Sequence, residues 1–293
     1  MNTIIKTQIL LLLVVSLVSC KKEIDINLPE TDSKLVVNSF FTGDSKIKVH
    51  LSKSIGILEN TIPECNDATV IVMENDIIID TMYKASGYYY SNKKTAINNK
   101  YALIVSAPNM DTVLCQDMIP EKITLQSCIF TDSVLIDEDG LIINELKLDF
   151  QDSAGPDFYE VELEAKNIAN NYTILTWFKK NSDPIITSTG LLDYNPKTLI
   201  FSDKMFNGKR CSVKVFYAVQ RGVGNYRLKI SFRSISEPYF RYKEKQFAYQ
   251  FSLENDIFSG MSEPVQLYSN IIGGYGIFAG YSTDEKIITV AGK

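Results

Sequence analysis

One histidine and one tryptophan occur in 293 residues. A lone imidazole, His50, excludes zinc sites built on two or three histidines. A Ser-His-Asp triad would have to use it, and no Gly-x-Ser-x-Gly elbow exists to present the serine. His50 also falls on the polar side of an alternating run, beside Lys46 and Lys48, where a solvated side chain is expected. No Cys-x-x-Cys occurs, which removes zinc-ribbon and dithiol redox chemistry. No glycine-rich run leads into Lys-Ser/Thr, so no phosphate-cradling loop is present. The 30 basic residues are scattered among 35 acidic ones without a block of one sign. Nucleic acid, whose binding needs a concentrated positive face, is therefore not an expected partner. No cofactor, no metal ligand set and no catalytic residue is legible, and an enzyme is not the expected class.

Long apolar runs are missing too, with one exception at the start. Ile9 to Val18 is nearly continuous hydrocarbon behind a single charge, Lys6. Ten helical residues rise about 15 Å, half of the roughly 30 Å of a bilayer core, so a spanning helix is the poorer account. A charged start, a short apolar run and a small residue before a cut site describe a secretory signal over residues 1–19. Leu17-Val18-Ser19-Cys20 further matches a lipobox, in which Cys20 takes a diacylglycerol and then a further acyl chain. Two or more chains are what stable anchoring requires. Residues 20–33 are then a lipidated tether, and the expected address is the outer membrane, held through acyl chains. Removing residues 1–19 takes away only Lys6 and leaves 29 basic against 35 acidic side chains.

Four cysteines remain: Cys65, Cys115, Cys128 and Cys211. An envelope location permits disulfides, and four cysteines allow three pairings. The pairing expected is one bridge per domain, Cys65 with Cys115 and Cys128 with Cys211, with buried free thiols as the alternative.

Alternation with period two dominates the rest. Lys34–Phe41 and Lys46–Ser52 flank a turn at Thr42-Gly43-Asp44, and Ala68–Glu74 and Ile77–Tyr83 flank Asn75-Asp76, which is hairpin chemistry. Lys100–Ala107 and Thr112–Ile119 complete a set of short strands. These predict an immunoglobulin-like or transthyretin-like β-sandwich over 34–120. A second β-rich domain, 121–293, is expected from candidate strands at Ile123–Phe130, Ile142–Phe150, Phe158–Ala165, Ile174–Phe178, Cys211–Val219 and Tyr226–Ile235. The stretch from Asn181 to Asn207 reads as a long loop of the kind that often binds.

One amphipathic helix is expected after Ser236, a candidate N-cap with Pro238 in the first turn. Tyr239, Tyr242, Tyr249 and Leu253 fall on one stripe, with Phe240, Phe247 and Phe251 beside it. Such a stripe is usually core laid across a sheet; an exposed platform at Tyr239 and Tyr242 is the alternative. Beyond it, Gly273, Gly274, Gly276 and Gly280 stand among aromatics, which suits a strand–turn–strand.

Acids are plentiful, and two suitably spaced carboxylates suffice for glycoside hydrolysis. Asp149, Asp152 and Asp157 are candidates, yet nothing singles out a pair. Asp137–Gly140 lacks the spacing of a calcium loop and reads as a hairpin turn. An Asp-Ser/Thr-aliphatic triplet recurs at Thr81, Thr112, Ser133 and Ser153. It resembles the O-glycosylation acceptor of Bacteroidota envelope proteins, which makes these four hydroxyls candidate modification sites.

The order of segments carries a wider resemblance. The lipobox is followed by KLVVNSFF, VHLSKS, DATVIVME, NNKYALIVSAP and MIPEKI, and near the end by LKISFRSISEPYFRY and EPVQLYSNIIGGYGIFAGYS. This resembles the Bacteroidota lipoproteins catalogued as domain of unknown function 4249, over about residues 20–285. Lys21-Lys22-Glu23-Ile24-Asp25 similarly resembles the lysine-then-acid signal that sends such lipoproteins to the cell surface, with a periplasm-facing anchor as the alternative. The resemblance implies an accessory of a TonB-dependent outer-membrane transporter, binding the transporter or its cargo without chemistry of its own. An adhesin or envelope-structural protein is the alternative, and a carboxylate-dependent glycan hydrolase a more distant one.

Overall fold

In β1 (Leu35–Thr42) the inward residues Leu35, Val37 and Phe41 are buried, and in β2 (Lys46–Lys53) so are Ile47, Val49 and Leu51, which is what the alternation demands. These strands belong to a computed structural model that describes residues 32–56, 59–179, 183–186, 196–254 and 265–292. The signal segment, Cys20 and nearly all of the expected tether lie outside the described residues. So do 181–182 and 187–195 of the expected loop and the side chains of Phe251 and Leu253.

The protein is mainly β, with several sheets and, among the described residues, a single α-helix. The next strands are β3 (Thr69–Glu74), β4 (Ile77–Thr81), β5 (Tyr83–Ala85), β6 (Tyr88–Lys94), β7 (Lys100–Ser106) and β8 (Val113–Met118). The β3–β4 hairpin turns through Asn75 and Asp76, both at positive φ, as a two-residue primed turn requires. A four-stranded sheet, β4-β3-β7-β8, faces β1, β2 and β6, and the two bury Tyr101, Leu103, Val105 and Phe41 between them.

A second core lies between strands of the later chain: β9 (Leu125–Ile136), β10 (Ile142–Gln151), β11 (Phe158–Asn167), β12 (Thr173–Ile174), β13 (Thr176–Phe178), β14 (Thr198–Ser202), β15 (Arg210–Val219), β16 (Tyr226–Ile235) and β17 (Tyr275–Val290). The sheet β13-β15-β10-β9 covers β11, β14, β16 and the far half of β17 around Phe150, Tyr159, Phe201 and Phe232. Burying each such ring is worth roughly 1.5–3 kcal/mol, and their centroids approach to 4.8–5.4 Å.

One sheet serves both cores. Its nine strands run β12-β11-β16-β17-β1-β2-β6-β5, with β14 also on β11. The linking element is β17. Residues 275–281 pair parallel with β1, and residues 281–290 pair antiparallel with β16, so the strand changes partner at Tyr281. Residues 33–293 thereby form one compact unit, and strands from both sides of residue 120 share its longest sheet. The glycine segment differs from the expected strand–turn–strand: Gly273 and Gly274 make the turn, but Gly276 and Gly280 lie inside one continuous strand.

The helix α1 (Glu237–Glu254) packs on the outer face of that sheet. Ser236 accepts the Tyr239 N–H at 3.3 Å, as an N-cap should. Tyr239 and Phe247 sit over Ile200, Ile235, Ile277 and Ala279. The loop expected over 181–207 is shorter than its sequence suggested. Leu199, Ile200 and Phe201 are buried in β14, and Asp203–Met205 forms a 3₁₀ turn.

Cys65, Cys115, Cys128 and Cys211 are free thiols. For Cys128 and Cys211 the register gives the reason. They pair with Leu148 and Phe150 on opposite sides of β10, so two strand spacings separate them. That is more than about 9 Å, beyond the reach of a disulfide. Cys65 and Cys115 share the first core as buried thiols instead of the expected bridge.

Candidate functional site

The β9–β10 hairpin, the β15–β16 turn and the end of β17 converge at one end of the second sandwich. Between them opens a cavity of about 330 Å³, within the range of small-ligand sites. Its polar lining is Asp132, Asn144, Gln220, Arg221 and Tyr226, set against Val223 and Val290. Turn chemistry shapes it. Gly140 and Gly222 both hold φ of +71°, where a side chain would be strained. Asp137 accepts the Leu141 N–H at 2.8 Å and the Asp139 N–H at 3.1 Å, and its other oxygen pairs with Lys179 at 2.9 Å. The Lys179 ammonium and these N–H groups hold the Asp137 carboxyl below the usual range. Asp137–Gly140 is thus the hairpin turn its sequence suggested, and it forms the cavity rim.

Arg221 is placed by a hydrogen bond to the Asp139 carbonyl, and Asn144 by accepting the Ser133 N–H at 3.0 Å. Burial pushes the hydroxyls of Tyr226 and neighbouring Tyr217 up, so both stay neutral hydrogen-bonding groups. The arrangement can orient a small polar or anionic group against Arg221 with apolar contact from Val223 and Val290. Among the described residues a single carboxylate, Asp132, lines it, and these residues do not assemble the two acids of glycoside hydrolysis there.

A second constellation lies under α1. Glu160 is 0% exposed. Its Oε2 accepts Arg233 at 2.5 Å and the Tyr239 hydroxyl at 2.8 Å, and its Oε1 faces the Lys243 ammonium at 3.5 Å. Arg233 stands opposite Glu160 in the β11–β16 register and also reaches Glu162. Burial works against the Arg233 charge, but the Glu160 carboxylate outweighs it and raises the pKa. Tyr239, offered by the sequence as an exposed platform, is 5% exposed and belongs to this buried cluster. Tyr242 is half-buried beside Phe40, 5.8 Å between ring centroids. Tyr239 and Phe247 of the helix are core, whereas Tyr249 is exposed.

The other named residues are dispersed. Thr81, Thr112 and Ser133 are exposed, whereas Ser153 is half-buried and donates to Asp157 at 2.6 Å. Asp149 is held below the usual carboxyl range by Ser127 and Ser212 hydroxyls. His50 lies 5.5 Å from the Tyr88 ring, and Lys48 stands 3.7 Å over the same ring. This ladder of Lys46 and Lys48 against Tyr83, Tyr88 and Tyr90 was not legible, because β6 opens with three consecutive tyrosines and does not alternate polarity.

Asp117 on β8 joins three elements. Its Oδ2 accepts the Gly280 N–H of β17 at 2.8 Å and the hydroxyl of Ser236, the α1 cap. Burial raises its carboxyl to about 6, the two hydrogen bonds offsetting only part of that. A raised carboxyl favours the protonated fold. The stability it contributes is complete below the unfolded value of 3.8 and is lost as pH rises through about 6. At roughly 1.4 kcal/mol per pH unit, the loss between pH 4 and 7 is at most about 3 kcal/mol. Asp117→Asn keeps an acceptor and drops the charge. Urea melts should show it at least as stable as the parent at pH 7.5, with a flatter profile from pH 4 to 7. Parallel profiles for the two proteins would refute this role.

The family model described as domain of unknown function (DUF4249) matches residues 21–287. No curated protein matches the chain. A match over most of the chain places it: the protein belongs to the DUF4249 family.

Proposed function

We propose that this family member is a Bacteroidota outer-membrane lipoprotein, anchored through acyl chains on Cys20 and exposed at the cell surface. Its work is binding without chemistry, as the accessory of a TonB-dependent transporter. The observation that carries the binding role is the cavity of about 330 Å³ at the hairpin end of the second sandwich. It offers one cationic side chain, neutral hydrogen-bonding groups and an apolar wall on a rigid scaffold, which is how binding sites are built. The anchor rests on the lipobox Leu17-Val18-Ser19-Cys20, and surface exposure on Lys21-Lys22-Glu23.

A gentle detergent pull-down through a C-terminal tag, read by mass spectrometry, tests the reading. A TonB-dependent barrel is expected in near-stoichiometric yield from the parent. Arg221→Glu, which reverses the charge at the cavity, is expected to reduce recovery of barrel or cargo at least tenfold. Recovery of the protein alone, or only with itself, sinks the transporter role.

A structural or adhesive role draws support from a different feature. Among the described residues β9 is a twelve-residue edge strand, paired on one side by β10, and it exposes Ile129, Leu135 and Ile136. Open apolar edges of that length favour strand-to-strand assembly. Self-association abolished by Leu135→Lys would put that role first.

A further inference from the structure

Three carboxylates meet at the end of the second sandwich opposite the cavity. Asp152 and Asp157 lie between β10 and β11, and Asp203 opens the 3₁₀ turn after β14. One oxygen from each lies within 4.8 Å of the other two. Asp152 and Asp203 are both 3% exposed. The first two carboxylates are held in position by hydrogen-bond donors. Asp152 accepts the Tyr159 hydroxyl and the Gly208 N–H, the latter at 2.7 Å, and Asp157 accepts the Ser153 hydroxyl at 2.6 Å.

Asp203 is different. Its Oδ2 is buried and has no hydrogen-bond partner. Among the described residues, no lysine or arginine forms an ion pair with any of the three. A buried carboxylate without a donor, aimed at two more carboxylates, is among the costliest arrangements a fold can hold unless a positive charge joins it. The backbone fixes it nonetheless. The Asp203 N–H donates to the Asp157 carbonyl at 3.0 Å, the Gly208 N–H to the Ser153 carbonyl at 3.1 Å, and the Asp152 N–H to the Lys209 carbonyl at 3.1 Å. These backbone bonds hold the three residues together independently of the bonds their carboxylates accept.

We infer that Asp152, Asp157 and Asp203 form a site for a hard divalent cation, Ca²⁺ in particular, which ties the β10–β11 connection to the 3₁₀ turn. Only oxygen donors are offered, which suits Ca²⁺ or Mg²⁺ over softer metals. Three oxygens each about 2.4 Å from one ion fall within 4.8 Å of one another, a bound these three meet, and Ca²⁺ accepts an irregular shell where Mg²⁺ demands near-octahedral order at about 2.1 Å. Carbonyls and water complete a Ca²⁺ shell of irregular shape. Affinity is expected in the range of extracellular calcium modules, about 10⁻⁴–10⁻³ M.

The site is separate from the cavity. β10 and β15 each run from one to the other over ten residues, about 30 Å, so the transporter reading can fail without touching it. The test uses the purified full chain, stripped with a chelator and returned to Ca²⁺, Mg²⁺ or NaCl of equal ionic strength. Calorimetry is expected to count one Ca²⁺ per chain, and 10 mM Ca²⁺ to raise the melting midpoint by about 5 °C, with little effect of Mg²⁺. Asp203→Asn should weaken Ca²⁺ binding at least tenfold while the ion-free variant melts no lower than the ion-free parent, because a buried charge has gone. Asp157→Asn, at a half-buried position, supplies the same comparison should Asp203→Asn fold poorly. The site is refuted if equilibrium dialysis of the parent finds no bound Ca²⁺ at 10 mM, or if both variants bind it as the parent does.

Discussion

Gly276→Ala is expected to lower the melting midpoint by about 8–15 °C, the largest effect of any single methyl group added to this protein. The residue holds φ at +109° inside a strand, and a Cβ there would lie 2.1 Å from the Val37 carbonyl oxygen and 2.8 Å from its carbon. Both contacts are with backbone, which cannot swing aside as a side chain can. Val37 pairs with Gly276 in the parallel β1–β17 ladder, so relief requires that ladder to part. Strain at positive φ and the broken pairing together should cost about 4 kcal/mol or more. Gly56→Ala is the control, since nothing lies within 4 Å of a Cβ at that position, and it should fall within about 0.5 kcal/mol of the parent. Thermal melts followed by circular dichroism decide the matter. A Gly276→Ala midpoint within 2 °C of the parent would mean that β1 and β17 do not pair as described.

Arg233→Met should have the next largest effect, about 3–5 kcal/mol in urea melts. It leaves Glu160, which is 0% exposed, with the Tyr239 hydroxyl and a Lys243 ammonium 3.5 Å away. Most of the cost comes from stranding a buried charge and little from losing an attraction. The double variant Glu160→Gln/Arg233→Met removes both charges and keeps an acceptor for Tyr239, so it should recover more than half of the loss. The cycle should then show a coupling of about 2–3 kcal/mol. Additive single and double effects would contradict the pairing of Glu160 with Arg233.

The strands that alternate cleanly were legible from residue type alone. Tyr101, Leu103 and Val105 share a face in the sequence and are all fully buried in β7. The helix was legible from Ser236, Pro238 and its aromatic stripe, of which Tyr239 is core, with Phe247 beside it, while Tyr249 is 39% exposed. What could not be read is pairing at a distance. Nothing local to Val36 or Tyr275 says that they will be neighbours across some 240 residues. β14 reads as loop in the sequence because its apolar residues, Leu199 to Phe201, do not alternate; both faces of that strand are covered. The carboxylate cluster was hidden for the same reason. Asp152 and Asp157 come from one connection and Asp203 from another, with no spacing rule to join them. The cavity likewise draws on two separate turns and the end of a third segment. Residue periodicity reports the environment of one strand; a site reports the meeting of several.

The partner exchange of β17 at Tyr281 also sets a clock. The chain is made from its N-terminus, yet β1 receives its second neighbour, and β16 its own, only when residues 275–290 arrive. Neither sandwich can close its shared sheet on a nascent chain. Both cores must therefore wait in an incomplete state for the last sixteen-residue strand, and contacts of such long range form slowly. A protein built this way stays open until residues 275–290 are made, so a chain that lacked them would forfeit both halves together.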